Sequence, residues 1–261
     1  MTSRYEIHSL HAGTMTMHRP EPVFVWLVVG EGRALLVDAG LPAPEVVRTR
    51  WNTECDRGGP DVLREELAAR GVAPEDVDTV VLTHLHFDHA WNLDVFPSAR
   101  AVVQREELVC AIDPVPTQRG YYARDVTSAV VGRRKPDHLQ VVDGDHSLGP
   151  GLDLLHIPSH TPGIMGLVVE TARGRVGLPS DAGESYANWY PADPRANPKP
   201  IRYLADSYLP PHIWSESALT CIASLRRFRE ACDIVVPSHD WRIPRHLPGE
   251  WWAVPDSAGG D

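Results

Sequence analysis

Thr83-His84-Leu85-His86-Phe87-Asp88-His89-Ala90 is the stretch on which the reading of the whole chain turns. Three histidines and an aspartate fall within six residues, directly after the apolar run Val80-Val81-Leu82. A short β-branched run of this kind reads as a buried strand. The cluster therefore stands where a strand ends and the chain turns, a common position for sites in mixed α/β sheets. His84 and His86 are two residues apart and point to the same side of an extended backbone. Asp88 and His89 follow at once, and Ala90-Trp91-Asn92-Leu93 can open a short helix. The plain alternative is a polar turn with solvated histidines. Against it, four such groups converging on one place repel or lie idle without a cation, and imidazole with carboxylate suits zinc and related divalent ions.

Four more residues repeat the pattern of a polar group closing an apolar strand. His160 follows the run 152–157 in Pro158-Ser159-His160-Thr161-Pro162-Gly163, and Asp181 follows a strand expected over 175–178. His239 ends Ile234-Val235-Val236-Pro237-Ser238-His239-Asp240, and Asp38 ends Leu35-Leu36-Val37-Asp38-Ala39-Gly40. A ligand set gathered from distant parts of a sequence is assembled in this way.

The order HxHxDH, then His, Asp and His, with an early Val37-Asp38-Ala39-Gly40, resembles the metallo-β-lactamase superfamily over nearly the whole chain. The resemblance implies an α/β fold, a four-layer αββα sandwich with the metal site at one edge. It implies one metal held by His84, His86 and His160, a second held by Asp88, His89 and His239, and Asp181 bridging both. Two divalent ions follow, zinc first, with manganese, iron or cobalt as alternatives. Such ions lower the pKa of bound water from about 15.7 towards roughly 7, so a metal-bound hydroxide becomes the nucleophile. Asp88 can also relay a proton. Asp38 either orients a ligand imidazole or accepts backbone hydrogen bonds in its turn, and Asp240 is expected to orient a ligand imidazole.

Within the superfamily, the chain is most similar to the N-acyl-homoserine-lactone lactonases. The implied activity is hydrolysis of a lactone or a related ester in a small-molecule substrate. Those enzymes place a tyrosine three residues after the bridging aspartate; here that position is Glu184. Tyr186 is the nearest tyrosine and is assigned the catalytic donor role, with Tyr190 as the other candidate. The alternatives are a thioesterase or glyoxalase-II-like hydrolase and a di-iron oxidoreductase on the same scaffold. A glutathione-thioester enzyme grips its substrate with a basic C-terminal region, for which only Arg226, Arg227 and Arg229 are available.

The chain has 261 residues and is 43% hydrophobic, enough for one large domain spanning 1–261. Its net charge of −10 argues against a nucleic-acid partner. No apolar run approaches a membrane span, and no signal peptide is seen, so a cytoplasmic enzyme is expected. Cys55, Cys110, Cys221 and Cys232 lack C-x-x-C spacing and read as free thiols.

In chain order, 23–29 and 33–38 read as a hairpin about Gly30-Glu31-Gly32, and 41–60 as a long loop. A helix capped by Asp61 runs to about Arg70. Residues 113–137, with Tyr121-Tyr122, read as an irregular excursion over the site. Strands at 139–142, 152–157, 165–170 and 175–178 form the second half of the sandwich. Residues 183–213, rich in proline and aromatics, read as a lid or wall. The last helix, 214–233, takes Ser215 as cap and Leu219, Ile222, Leu225 and Phe228 as its apolar face. Met15 and Met17 either line a pocket mouth or pack in a strand. Trp251 and Trp252 either pack on the body or mark a homodimer contact.

Overall fold

The computed structural model describes residues 4–17, 19–133 and 137–243. Trp251, Trp252, His18, Arg134 and Lys135 lie outside that range. Twelve strands form two sheets among the described residues. The first holds β1 (Glu6–Thr16), β2 (Pro20–Gly30), β3 (Arg33–Val37), β4 (Glu54–Arg57), β5 (Thr79–Val81), β6 (Arg100–Gln104) and β7 (Leu139–Val142), in the order β4-β1-β2-β3-β5-β6-β7. The second holds β8 (His146–Gly149), β9 (Leu152–His156), β10 (Met165–Thr171), β11 (Gly174–Leu178) and β12 (Ile234–Val235), in the order β12-β11-β10-β9-β8.

Alternation along the strands builds the layers. On β2, Phe24, Trp26 and Val28 join Leu154, Met165 and Leu167 of the second sheet in one core. The intervening Val23, Val25 and Leu27 face the other way, into a core shared with α1 (Pro44–Trp51), α2 (Pro60–Ala68) and α5 (Arg124–Val131) through Val47, Leu63, Leu67 and Val126. A period of two thus gives both faces of the sheet a partner. The second sheet turns Ile157 and Val168 to Leu225 and Phe228 of α7 (Ala218–Glu230). Helix, sheet, sheet and helix stack as the expected αββα sandwich. Each fully buried Leu or Val in these clusters stabilises the fold by roughly 1.5–3 kcal/mol.

Strand direction brings the site together. β3 and β5 are parallel neighbours, so Asp38 and His84 leave the sheet side by side. β11 and β12 are also parallel, and β9 runs the same way because it is two antiparallel steps from β11. His160, Asp181 and His239 therefore emerge at one end of the second sheet. The sheets are tied there by backbone bonds, Met165 N–H to the Thr83 carbonyl at 3.0 Å and Phe24 N–H to the Ser238 carbonyl at 3.3 Å.

Several local expectations are corrected. Residues 41–60 are not one loop: they hold α1, started by Pro44, and β4. With only Val47 buried, α1 presents no apolar stripe that periodicity could detect. α2 starts on Gly59 and Pro60 rather than on an Asp61 cap. The excursion 113–137 contains α5. Strand β7 joins the first sheet, parallel to β6, and not the second. α7 is capped by Ser217, whose Oγ accepts from the Thr220 N–H at 3.1 Å. Leu219 points to solvent, 79% exposed, and Cys221 takes the buried face instead.

Candidate metal centre

The chain leaves β5 through Leu82 and Thr83 and passes His84, with His86 the residue before α3 (Phe87–Ala90). His86 is still extended, at φ −67° and ψ 154°, so the rings of His84 and His86 stay on one side, 4.6 Å apart. Asp88 and His89 then sit on the turn of α3 and approach from the other direction. Asp181 follows β11 in a short 3-10 turn, Ser180–Gly183.

All seven predicted ligands come together, and all are buried except His239, which is partly so. They form two groups, His84 with His86 and His160, and Asp88 with His89, Asp181 and His239; within each group one ligand atom per residue lies within 4.8 Å of the others. His86 Nδ1 is 3.0 Å from His160 Nε2, and His89 Nε2 is 3.2 Å from His239 Nε2. Asp181 stands between the groups. Its Oδ1 is 3.3 Å from His89 Nε2 and 3.1 Å from His239 Nε2, while Oδ2 is 3.7 Å from His160 Nε2.

Partners outside the cluster fix which nitrogen each ring offers. His89 Nδ1 donates to Asp38 Oδ2 at 2.8 Å, His160 Nδ1 to the Ile213 carbonyl at 2.7 Å, and His239 Nδ1 to the Pro22 carbonyl at 2.7 Å. With Nδ1 occupied as a donor, the Nε2 atom of each ring is left to face the centre. Asp38 performs both roles read for it: it orients His89 and also accepts from the Thr83 N–H at 2.9 Å and the Thr83 hydroxyl at 2.8 Å. Asp38 and Ser180 both carry positive φ, 69° and 51°, and both contact the Thr83 hydroxyl. Left-handed backbone at non-glycine residues is held only where surrounding bonds over-determine it. Asp240 does not orient an imidazole. It accepts from the Tyr186 N–H at 3.1 Å and pairs with Arg242.

The donor set fits a metal. Buried His84 Nε2 has no hydrogen-bond partner among the described residues, an expensive condition for a polar atom unless a cation takes it. Burial and the neighbouring histidines hold His84 and His86 well below the ordinary histidine range, and burial holds His160 below it, so this group is neutral at pH 7. In the other group burial is outweighed by carboxylates. Asp181, Asp88 and Asp38 push His89 well up, and Asp181 pushes His239 up to about 9. Burial likewise opposes ionisation of Asp181, but His239 and His89 hold it well below the usual carboxylate range.

His86, Asp88, His160, Asp181 and His239 floor a cavity of about 290 Å³, with His84 and His89 behind them. Its walls include Met15, Met17, Phe87, Tyr121 and Ile213, with Arg19, Glu21, Glu184 and His212 as polar members. The two methionines therefore do line the mouth. Tyr186 does not line the cavity: it is 1% exposed in the core between the sheets, with the Arg242 guanidinium 5.5 Å above its ring. Trp189 is buried against Phe228, so the expected aromatic wall of 183–213 is turned inward. That segment gives the cavity only its ends, Glu184 and Ser185, then His212 and Ile213. Burial, then the Asp181 carboxylate, raise the Glu184 carboxyl to about 7, and it accepts from the His212 N–H at 2.9 Å. The tyrosine that lines the cavity is Tyr121, its ring 5.2 Å from that of His86. Its signal was the Tyr121-Tyr122 pair in the excursion, which lacked any means of being placed. Arg227 and Arg229 bind the chain's own surface, at Asp145 and the Cys232 carbonyl, and do not reach the cavity.

A sandwich of this order with two such groups of buried histidine and aspartate at one end fits a binuclear metal centre. The chain belongs to the metallo-beta-lactamase superfamily, whose family model matches residues 18–239. It is 30% identical to the N-acyl homoserine lactonase AiiB of Agrobacterium fabrum over 189 residues, 67% of this chain and 68% of that protein. It is also 30% identical to an N-acyl homoserine lactonase of a Bacillus species over 177 residues, 64% of this chain and 66% of that one. The chain spans about two thirds of the length of these relatives. A solved N-acyl homoserine lactone hydrolase, with the product N-hexanoyl-L-homoserine at its catalytic metal centre, superposes with a TM-score of 0.67 at 22% identity, covering 92% of this chain and 95% of that one. At that identity the likeness speaks for the fold. No helix of the described residues is long and apolar enough to cross a membrane.

Proposed function

We propose that this chain is a binuclear metal-dependent hydrolase that opens small lactones, N-acyl homoserine lactones among them. The observation that carries the reading is the shared carboxylate, Asp181, with one oxygen towards each of two buried ligand groups under a single cavity. His84, His86 and His160 would hold one ion and Asp88, His89 and His239 the second, with Asp181 shared between the two groups; zinc is the metal proposed. When bound, two such ions act as Lewis acids and make hydroxide available from water at neutral pH. Asp38 and the Ile213 and Pro22 carbonyls keep the imidazoles aimed at the centre. Asp88, which lines the cavity, would take a proton from an incoming water and pass it to the departing oxygen. Met15, Met17, Phe87 and Ile213 give an acyl chain an apolar surface.

We also infer that 1–261 acts as one domain, with 183–213 as an active-site loop or lid whose ends line the cavity, and that the protein works in the cytoplasm, without nucleic-acid or membrane partners. A homodimer is retained as the proposed assembly. The test is metal analysis of protein purified without chelator, followed by a panel of acyl homoserine lactones of rising chain length, simple esters and thioesters. About two ions per chain with lactones turned over best is expected. Below half an ion, not restored by zinc or manganese, sinks the reading. A preference for thioesters transfers it to the glyoxalase-II-like alternative, and redox activity with iron transfers it to the oxidoreductase alternative.

A further inference from the structure

Next to the three-histidine group lies a carboxylate that the chemistry above does not use. Glu107, third residue of α4 (Arg105–Ile112), is fully buried at 0% exposure. Its Oε1 accepts from the backbone N–H of Leu85, the residue between His84 and His86, at 2.9 Å. The same oxygen accepts from the Tyr122 hydroxyl at 2.8 Å, and the Tyr122 ring stands edge-on to His86 with centroids 4.7 Å apart. Glu107 Oε2 accepts from the hydroxyl of Thr161, the residue after His160, at 2.6 Å. The Gly163 N–H is a further donor to this carboxylate.

These donors are two backbone amides and two hydroxyls, all neutral, and they come from the segments that carry the three histidines or pack on them. A buried side chain that served only to start α4 would spend its acceptors on that helix's own amides. Glu107 spends them on the loops instead. The loop 160–163 is also seated directly on the helix backbone. A Cβ added at Gly163 falls 2.2 Å from Glu107 N and 2.5 Å from Glu107 Cα, so only glycine allows the approach. Burial pushes the Glu107 carboxyl up and these donors oppose it, so one side chain with four donors fixes two loops at once.

We propose that Glu107 is the positioning residue of the three-histidine half: it sets the register of the His84–His86 turn against the His160 loop, so that the three lone pairs converge before any ion arrives. The inference rests on the two-metal reading above, and it makes no claim about substrate. It predicts asymmetry. Loosening Glu107 weakens one metal position and leaves the other, which is held by Asp38, Asp181 and the Pro22 carbonyl, as it was.

The experiment is a Zn²⁺ titration of the intact chain against a competing chelator, resolving two binding steps. His84→Ala and His239→Ala mark which step belongs to which half. Glu107→Gln keeps the shape but removes the charge and leaves one acceptor oxygen, so its NH₂ group replaces an acceptor on either the Leu85 side or the Thr161 side. It is expected to weaken the step marked by His84→Ala by roughly 10- to 100-fold, the range for residues that orient metal ligands, with the step marked by His239→Ala unchanged. Should Glu107→Gln not fold, Thr161→Val and Tyr122→Phe each remove one bond and are expected to weaken the same step by roughly two- to tenfold, while Thr161→Ser restores it. Equal weakening of both steps, or no change in either, overturns the proposal. If His84→Ala itself leaves both steps intact, it is the metal reading that fails, and the two failures are told apart in one series.

Discussion

His160 and His239 are built alike. Each donates Nδ1 to a backbone carbonyl at 2.7 Å and turns Nε2 to the centre, yet burial holds His160 below the ordinary histidine range while His239 is pushed up to about 9. The difference lies in the company each keeps. Asp181 reaches His239 at 3.1 Å and His160 only at 3.7 Å, and the His239 side also has Asp88 and the pair formed by His89 and Asp38. Without metal, one half of the centre is a set of neutral lone pairs with unmet nitrogens. The other half is an internal salt-bridge network that satisfies itself with protons. The same residue types thus make a set of neutral lone pairs and a self-paired network a few ångströms apart, and metal must enter them by different chemistry.

The largest effect expected from breaking this arrangement is at Asp181, which belongs to both halves. Asp181→Asn removes the oxygen facing His160 as a charged ligand and also the anion that holds His89 and His239 protonated. Both Zn²⁺ steps should weaken and turnover of the best lactone should fall by at least roughly a hundredfold. Wild-type turnover with both ions bound would remove Asp181 from the bridge.

A sharper test counts protons. His239, at about 9, and His89, well above its usual value, both carry a proton at pH 7 that an ion must displace to reach Nε2. The three-histidine half, with every ring depressed, releases none. The sign follows: affinity of the carboxylate-bearing half falls as pH falls from about 9 towards 7, up to about tenfold per pH unit for each proton displaced, while affinity of the other half stays level. Calorimetry of Zn²⁺ uptake in buffers of different protonation enthalpy measures this. Equal release from both steps would erase the distinction.

The same contrast separates what could be read in the sequence from what could not. His84, His86, Asp88 and His89 were legible because four ligands in six residues follow a strand, and His160, Asp181 and His239 because each closes an apolar run. Strand alternation likewise made β2 and β3 plain. Glu107 was not legible: a glutamate in the first turn of a helix is ordinary, and its bonds to Leu85 and Thr161 span 22 and 54 residues. α1 was hidden because it buries only Val47, and β7 was given to the wrong sheet because local pattern says nothing of a strand's neighbours. The inward turn of 183–213 depends on Asn188, which donates to the Pro210 carbonyl at 3.0 Å and so closes the segment onto itself. Proline content suggested rigidity there but could not show which face met the cavity.

The smallest expected effect concerns two tyrosines, and it sets the cavity wall against the core. Tyr121 lines the cavity beside His86, and burial, then the nearby Asp88 carboxylate, raise its phenol, so it stays protonated and able to donate at neutral pH. Tyr186 instead holds the inter-sheet core under Arg242. A hydroxyl that meets the substrate carbonyl is worth a net hydrogen bond, so Tyr121→Phe should lower turnover by roughly two- to tenfold with metal content unchanged. A larger loss, approaching a hundredfold, would place its hydroxyl on the developing oxyanion itself. Tyr186→Phe keeps the ring that packs and should leave turnover as it was, with any cost confined to thermal stability. The measurement is steady-state turnover of both variants on one lactone, with zinc measured on the same samples. A fall in Tyr186→Phe at full metal, with Tyr121→Phe unaffected, would mean that the working enzyme swings residues 183–213 outward as a moving lid.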